Sequence, residues 1–318
     1  MIPLNLERNY TAVVMGDGIF AQKTMETLKQ LGVFIHCFIP RTEDTDPELK
    51  EFCANENISI KLFSDLYEAH KYLKKMHIDF LVCSSFDKVL PKRILELPKI
   101  ASLNIHASPL PKYRGGSPLN WQLISGEDHI VLTIHYMAEK VDSGNILAQI
   151  YIPLSQENNY ADVIEKTANA IPEAILISVS KTLTGDIGRS MNIKDGFYLP
   201  RRQSGDEFID WNWPANTIVN FVRALSSPGP CARTYYQNQV ISFENAINNS
   251  MGPFVGIPGM VLEKNMNDNS IVVKCSDSSV RLNGVNPKEV FEKVKVGDRV
   301  GINLNMIWEE LLKIKSSQ

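Results

Sequence analysis

The sequence predicts an α/β protein: a doubly wound, mostly parallel sheet within residues 1–200, then a smaller β-rich, OB-like module within 201–318. Three observations carry this. Apolar strand-like runs alternate with helical patterns through the first part of the chain, as right-handed β-α-β crossovers require. From about residue 235 the texture changes to short runs such as VISFE, SIVVKC and SVRLNGV, separated by the turns MNDNS and VGDRVG. A length of 318 residues also favours two cores over one.

TAVVM (11–15) reads as a buried strand closed by GDG. The helix after it places Met25, Leu28 and Leu31 on one face and ends at Gly32. VFIHCFIP (33–40) is a second strand, followed by a polar loop and a helix with Leu49, Phe52 and Cys53 inward. Ile60, Leu62 and Phe63 suggest a short third strand. Residues 65–76 read as a helix and DFLVCSS (79–85) as an apolar strand. LNIHAS, VLTIHYM (131–137) and ILAQIYIPL (146–154) supply further strands. Helical spacing runs from Val163 to Leu183 with Pro172 inside it, which predicts a kink or a split. DGFYLPRRQSGDEFIDW (195–211) has the composition of a domain connection. A helix then starts near Pro214, with Ile218, Phe221, Val222 and Leu225 at helical spacing.

Composition narrows the function classes. Hydrophobic content of 44% and charged content of 22% are those of an ordinary soluble globular chain. The formal net charge of -3 advertises no basic face for tRNA or DNA, so a nucleic-acid partner is not expected. Five scattered cysteines without a CxxC suit reduced thiols in a cytosol better than a disulfide framework or a zinc site. The N-terminus lacks a signal-peptide pattern, and no run approaches the ~18 apolar residues of a membrane span. A cytoplasmic protein without a membrane partner is expected. No His, Cys and Asp set has metal-ligand spacing, so no metal is expected.

Two motifs compete for the site. GDGIFA (16–21) fits G-x-G-x-x-G/A between a strand and a helix, but the second strand ends Ile39-Pro40-Arg41 without the acid that holds a ribose. An Arg there suits a 2′-phosphate. The reading preferred here is a tight strand-to-helix turn. In LNIHAS, alternation puts Asn104 and His106 on one face of a strand. The loop SPLPKYRGGSP follows, fixed by prolines and carrying Arg114, and Asp142 arrives in the turn KVDSG. An amide, an imidazole and a carboxylate are the parts of an acyl-transfer site. His135, on VLTIHYM, reads as a structural or supporting residue rather than a catalytic one.

NIHASPLPKYRGGSP followed by KVDSGNILAQ resembles the 10-formyltetrahydrofolate-dependent formyltransferases. The resemblance runs over roughly the first 200 residues and continues into YLPRRQSGDEFIDWNWPANTIVNFVRA, which is similar to the entrance of that family's C-terminal module. Within the family, PLNW (118–121) and FIDW…VRA are most similar to sugar-nucleotide N-formyltransferases of the 4-amino-4-deoxy-arabinose type. Two positions depart from that type: Gly116 stands where an Arg follows YRG, and Leu-Leu-Pro reads Pro109-Leu110-Pro111.

The resemblance implies formyl transfer from 10-formyltetrahydrofolate to the amine of a nucleotide-linked amino sugar, with Asn104, His106 and Asp142 as the catalytic set. His106 suits proton transfer. Asn104 can donate to the oxyanion, a contact typically worth ~3 kcal/mol of barrier. Asp142 would accept a hydrogen bond from His106 and stabilise its charged form. Alternatively, protonated His106 holds the oxyanion and Asp142 is the base; the sequence leaves both open. By the family's pattern, folate lies along the backbone of Lys88, Val89 and Leu90 and of Ala138, Glu139, Lys140, Val141 and Asp142. Arg114, Tyr198 and Arg201 are candidates for the acceptor's phosphates or base, and a homodimer follows by analogy. Competing readings are a methionyl-tRNA formyltransferase, a formyl-folate hydrolase, an enzyme formylating peptide or siderophore amines, and a nucleotide-dependent oxidoreductase built on GDGIFA.

Overall fold

The computed structural model describes residues 9–249, 256–301 and 315. The last stretch of the expected C-terminal module, at 302–314 and 316–318, lies outside the described residues.

In chain order the first part comprises β1 (Thr11–Gly16), α1 (Gly18–Gln30), β2 (Phe34–Pro40), α2 (Pro47–Asn55), α3 (Leu66–Leu73), β3 (Phe80–Ser84), α4 (Lys92–Leu95), β4 (Ala101–His106), β5 (Arg114–Gly115), α5 (Pro118–Ile124), β6 (His129–Tyr136), β7 (Ile146–Pro153), α6 (Tyr160–Leu183) and β8 (Tyr198–Leu199). Six strands form one sheet in the order β2-β1-β3-β4-β6-β7. β2, β1, β3 and β4 pair in parallel, while β6 and β7 run antiparallel at the other edge. The sheet is therefore mostly parallel at its centre and mixed at one side. The central strands are buried on both faces: Ala12 to Met15 and Phe80 to Cys83 are closed to solvent. Both-face burial is why these strands read as continuous apolar runs. The Val, Leu, Phe and Met side chains among them each contribute about 1.5–3 kcal/mol of burial.

Helix starts follow the sequence. Asp17, Asp46 and Asp65 cap α1, α2 and α3 through their carboxylates, satisfying N–H groups that have no partner inside the helix. Gly16 sits where β1 meets the end of β3: a Cβ there would lie 1.9 Å from the Ser84 carbonyl oxygen, so only glycine fits. The run around Ile60 makes one parallel bridge to Phe38 and does not extend into a strand, because residues 64–65 already turn into α3. α6 continues through Pro172 as one helix. Buried neighbours on its inner face (Ala168, Ile171, Ala174, Ile175) hold it past the missing N–H, so the helix is not split at Pro172.

The second part carries α7 (Ala215–Leu225), β9 (Ala232–Tyr236), β10 (Gln239–Phe243), β11 (Asn245–Asn249), β12 (Val261–Asn265), β13 (Ser270–Lys274), β14 (Ser279–Asn283) and α8 (Lys288–Phe291). It is β-rich, with a four-stranded antiparallel sheet in the order β11-β14-β13-β12 and the hairpin β9-β10. Ile218, Phe221, Val222 and Leu225 of α7 join Phe243, Ile271, Val273, Leu282 and Phe291 in its core. The chain divides into two compact units, the first containing 1–122, 128–156 and 163–201, the second 123–127, 157–162 and the rest from Arg202.

Candidate active site

β4 carries Asn104 and His106 on one face, as alternation requires, and the antiparallel partner of Asn104 on β6 is His135. The turn between β6 and β7 brings Asp142 to the same place, in a left-handed backbone conformation with φ +48°. The sequence pattern thus converges, and His135, read as a structural or supporting residue, converges with it.

Asp142 is the hub. Its side chain is nearly closed to solvent, at 8% exposure for the residue. Oδ1 accepts from Asn104 Nδ2 at 3.2 Å, and Oδ2 accepts from the Gly115 N–H at 2.9 Å. Two imidazoles stand within ion-pair range: His106 Nε2 at 3.7 Å from Oδ2 and His135 Nε2 at 3.6 Å from Oδ1. Burial pushes this carboxyl's pKa up. His106, His135 and the Gly115 N–H override that and hold it well below the usual carboxylate range. Asp142 is a buried anion.

The expected His106–Asp142 hydrogen bond is therefore replaced by an ion-pair contact. His106 Nε2 lies 3.0 Å from the Tyr113 carbonyl, which holds the ring instead. That carbonyl is aimed by a left-handed backbone at Tyr113 (φ +54°), a conformation costly for an aromatic residue. The Tyr113 ring packs edge-on against Phe197 at 4.7 Å between centroids. Tyr113 and Gly115 thus act on the site through their main chain. In the sequence they are visible only as members of PKYRG, since a backbone group leaves no residue-type signal.

Arg114 is 9% exposed, and among the described residues its guanidinium meets main-chain carbonyls: Pro111 at 3.3 Å and Ile193 at 3.5 Å. No carboxylate stands within ion-pair reach of it among the described residues. β5 pairs in parallel with β8, laying Tyr198 over Gly115; a Cβ on Gly115 would meet the Leu199 carbonyl at 2.3 Å and the Tyr198 ring at 2.7 Å. Gly116 packs against the Arg201 backbone so closely that its Cβ would lie 2.5 Å from the Arg201 Cα. The Arg201 guanidinium pairs with Asp87 at 2.8 Å, and Trp121 Nε1 donates to the Pro200 carbonyl at 3.2 Å. Arg114, Tyr198 and Arg201 are thus gathered around Gly115 and Gly116.

The two predicted folate segments also adjoin. Lys88, Val89 and Leu90 lie between β3 and α4, with Leu90 in the core and Val89 exposed. Ala138, Glu139 and Lys140 are exposed, and Val141 is half-buried before Asp142. Lys92 at the start of α4 stands 3.7 Å from Glu139. The main-chain N–H groups of Val89, Leu90, Ala138, Glu139 and Val141 make no main-chain hydrogen bond among the described residues, so they can receive a flat polar ligand. Among the described residues, no group of three or more His, Cys, Asp or Glu side chains is set for a metal ion, and no helix is long and apolar enough to cross a membrane.

The family model for formyl transferase matches residues 12–179, and the model for the formyl transferase C-terminal domain matches 202–291. The chain belongs to the formyl transferase family. It is 34% identical over 217 residues to the bifunctional polymyxin resistance protein ArnA of Wigglesworthia glossinidia brevipalpis, spanning 66% of this chain and 32% of that one, about a third of its length. It is 31% identical over 218 residues to the methionyl-tRNA formyltransferase of Thermodesulfovibrio yellowstonii, spanning 69% and 68% of the two chains. The fold is shared with the N-formyltransferase of Helicobacter canadensis, solved with folinic acid and dTDP-3-aminofucose (TM-score 0.63, 17% identity, 87% of this chain and 100% of that one). The mixed sheet and the β-rich module thus correspond to the family's two domain models.

GDGIFA has a different fate. Asp17 accepts from the Gly18 N–H at 3.0 Å and forms an ion pair with Arg41, the residue at the end of β2 that had suited a 2′-phosphate. The turn satisfies its own charges. A cleft of about 180 Å³ beside it is lined by Met15, Arg41, Phe63, Asp65, Phe86 and Lys88 among others.

Proposed function

We propose that this chain transfers the formyl group of 10-formyltetrahydrofolate to the amine of a nucleotide-linked amino sugar. The observation that carries the chemistry is the buried anion Asp142, held by Asn104 and Gly115 and facing two imidazoles. A neutral amine attacks the formyl carbon and a tetrahedral oxyanion forms. The C–N bond to folate N10 then breaks as the amine loses its proton. His106 moves that proton from the amine towards N10, and Asp142 stabilises the imidazolium without itself exchanging a proton, since its carboxyl is held far into the ionised range. This favours His106 over Asp142 as the base. The folate's pterin is read by the main-chain groups of 88–90 and 138–142, whose free N–H groups fit a flat heterocycle.

The acceptor reading rests on Arg114, a buried guanidinium without a carboxylate, beside Tyr198 and Arg201. Such a group suits a phosphate. It is helped by what the chain lacks for tRNA. Between 203 and 260 the cations are Arg223, which is buried, and Arg233, which pairs with Glu207 at 3.2 Å. The loop after β2 carries Glu43, Asp44 and Asp46 around an Arg41 that is already paired. Neither segment can release counterions from an acceptor stem. The same reading carries a cytoplasmic protein and, by family analogy, a homodimer. A second reading, methionyl-tRNA formylation, is favoured by the comparable identity to that enzyme.

Incubation with 10-formyltetrahydrofolate and a panel of nucleotide-linked amino sugars, with methionyl initiator tRNA in parallel, tests both. An N-formyl sugar by mass spectrometry is expected. Formyl-methionyl-tRNA as the sole product would replace the acceptor, and formate release without any acceptor would mark a hydrolase.

A further inference from the structure

We infer that His135 is a positioning residue that fixes which way round the Asn104 amide sits, and so which of its groups meets the substrate; the inference rests on the formyl-transfer reading above. Asn104 and His135 are directly opposed in the β4–β6 ladder, so their side chains share one face. His135 is 1% exposed, and its Nδ1 lies 2.7 Å from the Tyr136 carbonyl. A carbonyl only accepts, so Nδ1 carries the proton. In the neutral ring Nε2 is then an acceptor.

That nitrogen faces Asn104 Nδ2 at 3.2 Å, and the same Nδ2 faces Asp142 Oδ1 at 3.2 Å. Both neighbours demand an N–H, and the amide has two. Flipping it would set its oxygen against a carboxylate and against a nitrogen lone pair, two repulsive contacts at once. The amide is therefore locked with NH₂ inward. Oδ1 has no hydrogen-bond partner among the described residues, and Asn104 keeps partial exposure while His135 and Asp142 are buried.

The consequence changes the role of Asn104. What it offers a ligand in the resting enzyme is a carbonyl, an acceptor for one N–H of the attacking amine. That contact turns the amine's lone pair towards the formyl carbon. The oxyanion is then met by the imidazolium that His106 becomes on taking the amine's proton, rather than by the amide. His135 touches no substrate and exchanges no proton in this scheme.

Two measurements decide it. In the full chain labelled with ¹⁵N-histidine, two-bond ¹⁵N–¹H spectra read the ring tautomer; Nδ1–H at His135 is expected, and Nε2–H would overturn the inference. In kinetics, His135→Leu removes the acceptor at similar bulk, whereas His135→Gln keeps one in its side-chain carbonyl. Turnover should fall roughly 10- to 100-fold in His135→Leu, with the folate KM unchanged, and recover to within about threefold of wild type in His135→Gln. Wild-type turnover in His135→Leu, or equal loss in two variants with normal melting curves, would overturn it. If the wild type formylates none of the amines offered, the acceptor reading falls, and the tautomer alone decides the role of His135.

Discussion

Two strand ends of the same sheet carry charge and use it in opposite ways. At the ends of β1 and β2, Asp17 caps α1, pairs with Arg41 and leaves no charge of its own uncommitted. At the ends of β4 and β6, Asp142 is buried among an amide, a main-chain N–H and two imidazoles, while Arg114 nearby is buried without a carboxylate. The first arrangement is closed: Asp17 and Arg41 have found each other inside the fold. The second is held in place by neighbours of other kinds: among the described residues Asn104 Oδ1 has no hydrogen-bond partner, and the Arg114 guanidinium meets carbonyls but no carboxylate. Desolvated charge without its own counter-charge costs stability, and a fold retains it where a ligand or a reaction uses it.

The largest test of this contrast is to remove the second cluster's charges. His106→Asn and Asp142→Asn should each lower turnover at least about 100-fold while keeping a cooperative melt. Initial rates of N-formyl product formation check this. Near wild-type rates in either variant would remove that residue from the chemistry and erase the difference between the two strand ends.

The parts of the fold that speak through residue type were legible beforehand. The β1 to β4 alternation followed from apolar runs buried on both faces, and the β-rich module from short alternating strands. Asn104 and His106 followed from alternation along one strand, and Asp142 from its turn. What stayed hidden is held by geometry between distant segments. His135 read only as a structural or supporting residue, because what it supports depends on standing opposite Asn104 across the ladder, a matter of register. Tyr113 and Gly115 act through main-chain groups, which no side-chain pattern reports. The strand expected around Ile60 and a split of the helix at Pro172 were local preferences overridden by tertiary packing.

A second test moves the effect from chemistry to stability. Gly16→Ala places a methyl 1.9 Å from the Ser84 carbonyl, between two strands paired in register at Gly16 and Ser84. Neither strand can yield alone, so unfolding free energy should drop by about 2 kcal/mol, read from urea midpoints. Turnover per folded molecule should hold. Loss of turnover without loss of stability would mean that the first strand end belongs to the site.

A third test uses pH. The Asp142 carboxyl lies below its ordinary range in the folded protein, so folding favours the anion. A depressed carboxyl contributes stability above its unfolded pKa and loses it as pH falls through the folded value. The stability gap between wild type and Asp142→Asn should therefore narrow as pH drops from about 5 to about 2. Urea unfolding at several pH values checks the sign, and a gap that widens over that range would show that the anion is not favoured by the fold.

The smallest effect belongs to Asp17→Asn, and its smallness is the point. The ion pair with Arg41 is partly exposed, with side chains 19% and 31% accessible, and such pairs are worth little once screened. Asparagine also retains the cap on the Gly18 N–H, because its side-chain oxygen accepts as aspartate's does. The expected loss is about 0.5 kcal/mol, shrinking further in high salt, with turnover unchanged. Arg41, once freed, would be an exposed cation beside a cleft and still distant in role from Asp142. A fall in turnover of about tenfold or more, equivalent to over 1 kcal/mol of barrier, would show that the closed charge pair at β1 and β2 is coupled to the open cluster at β4 and β6, and the contrast between them would fail.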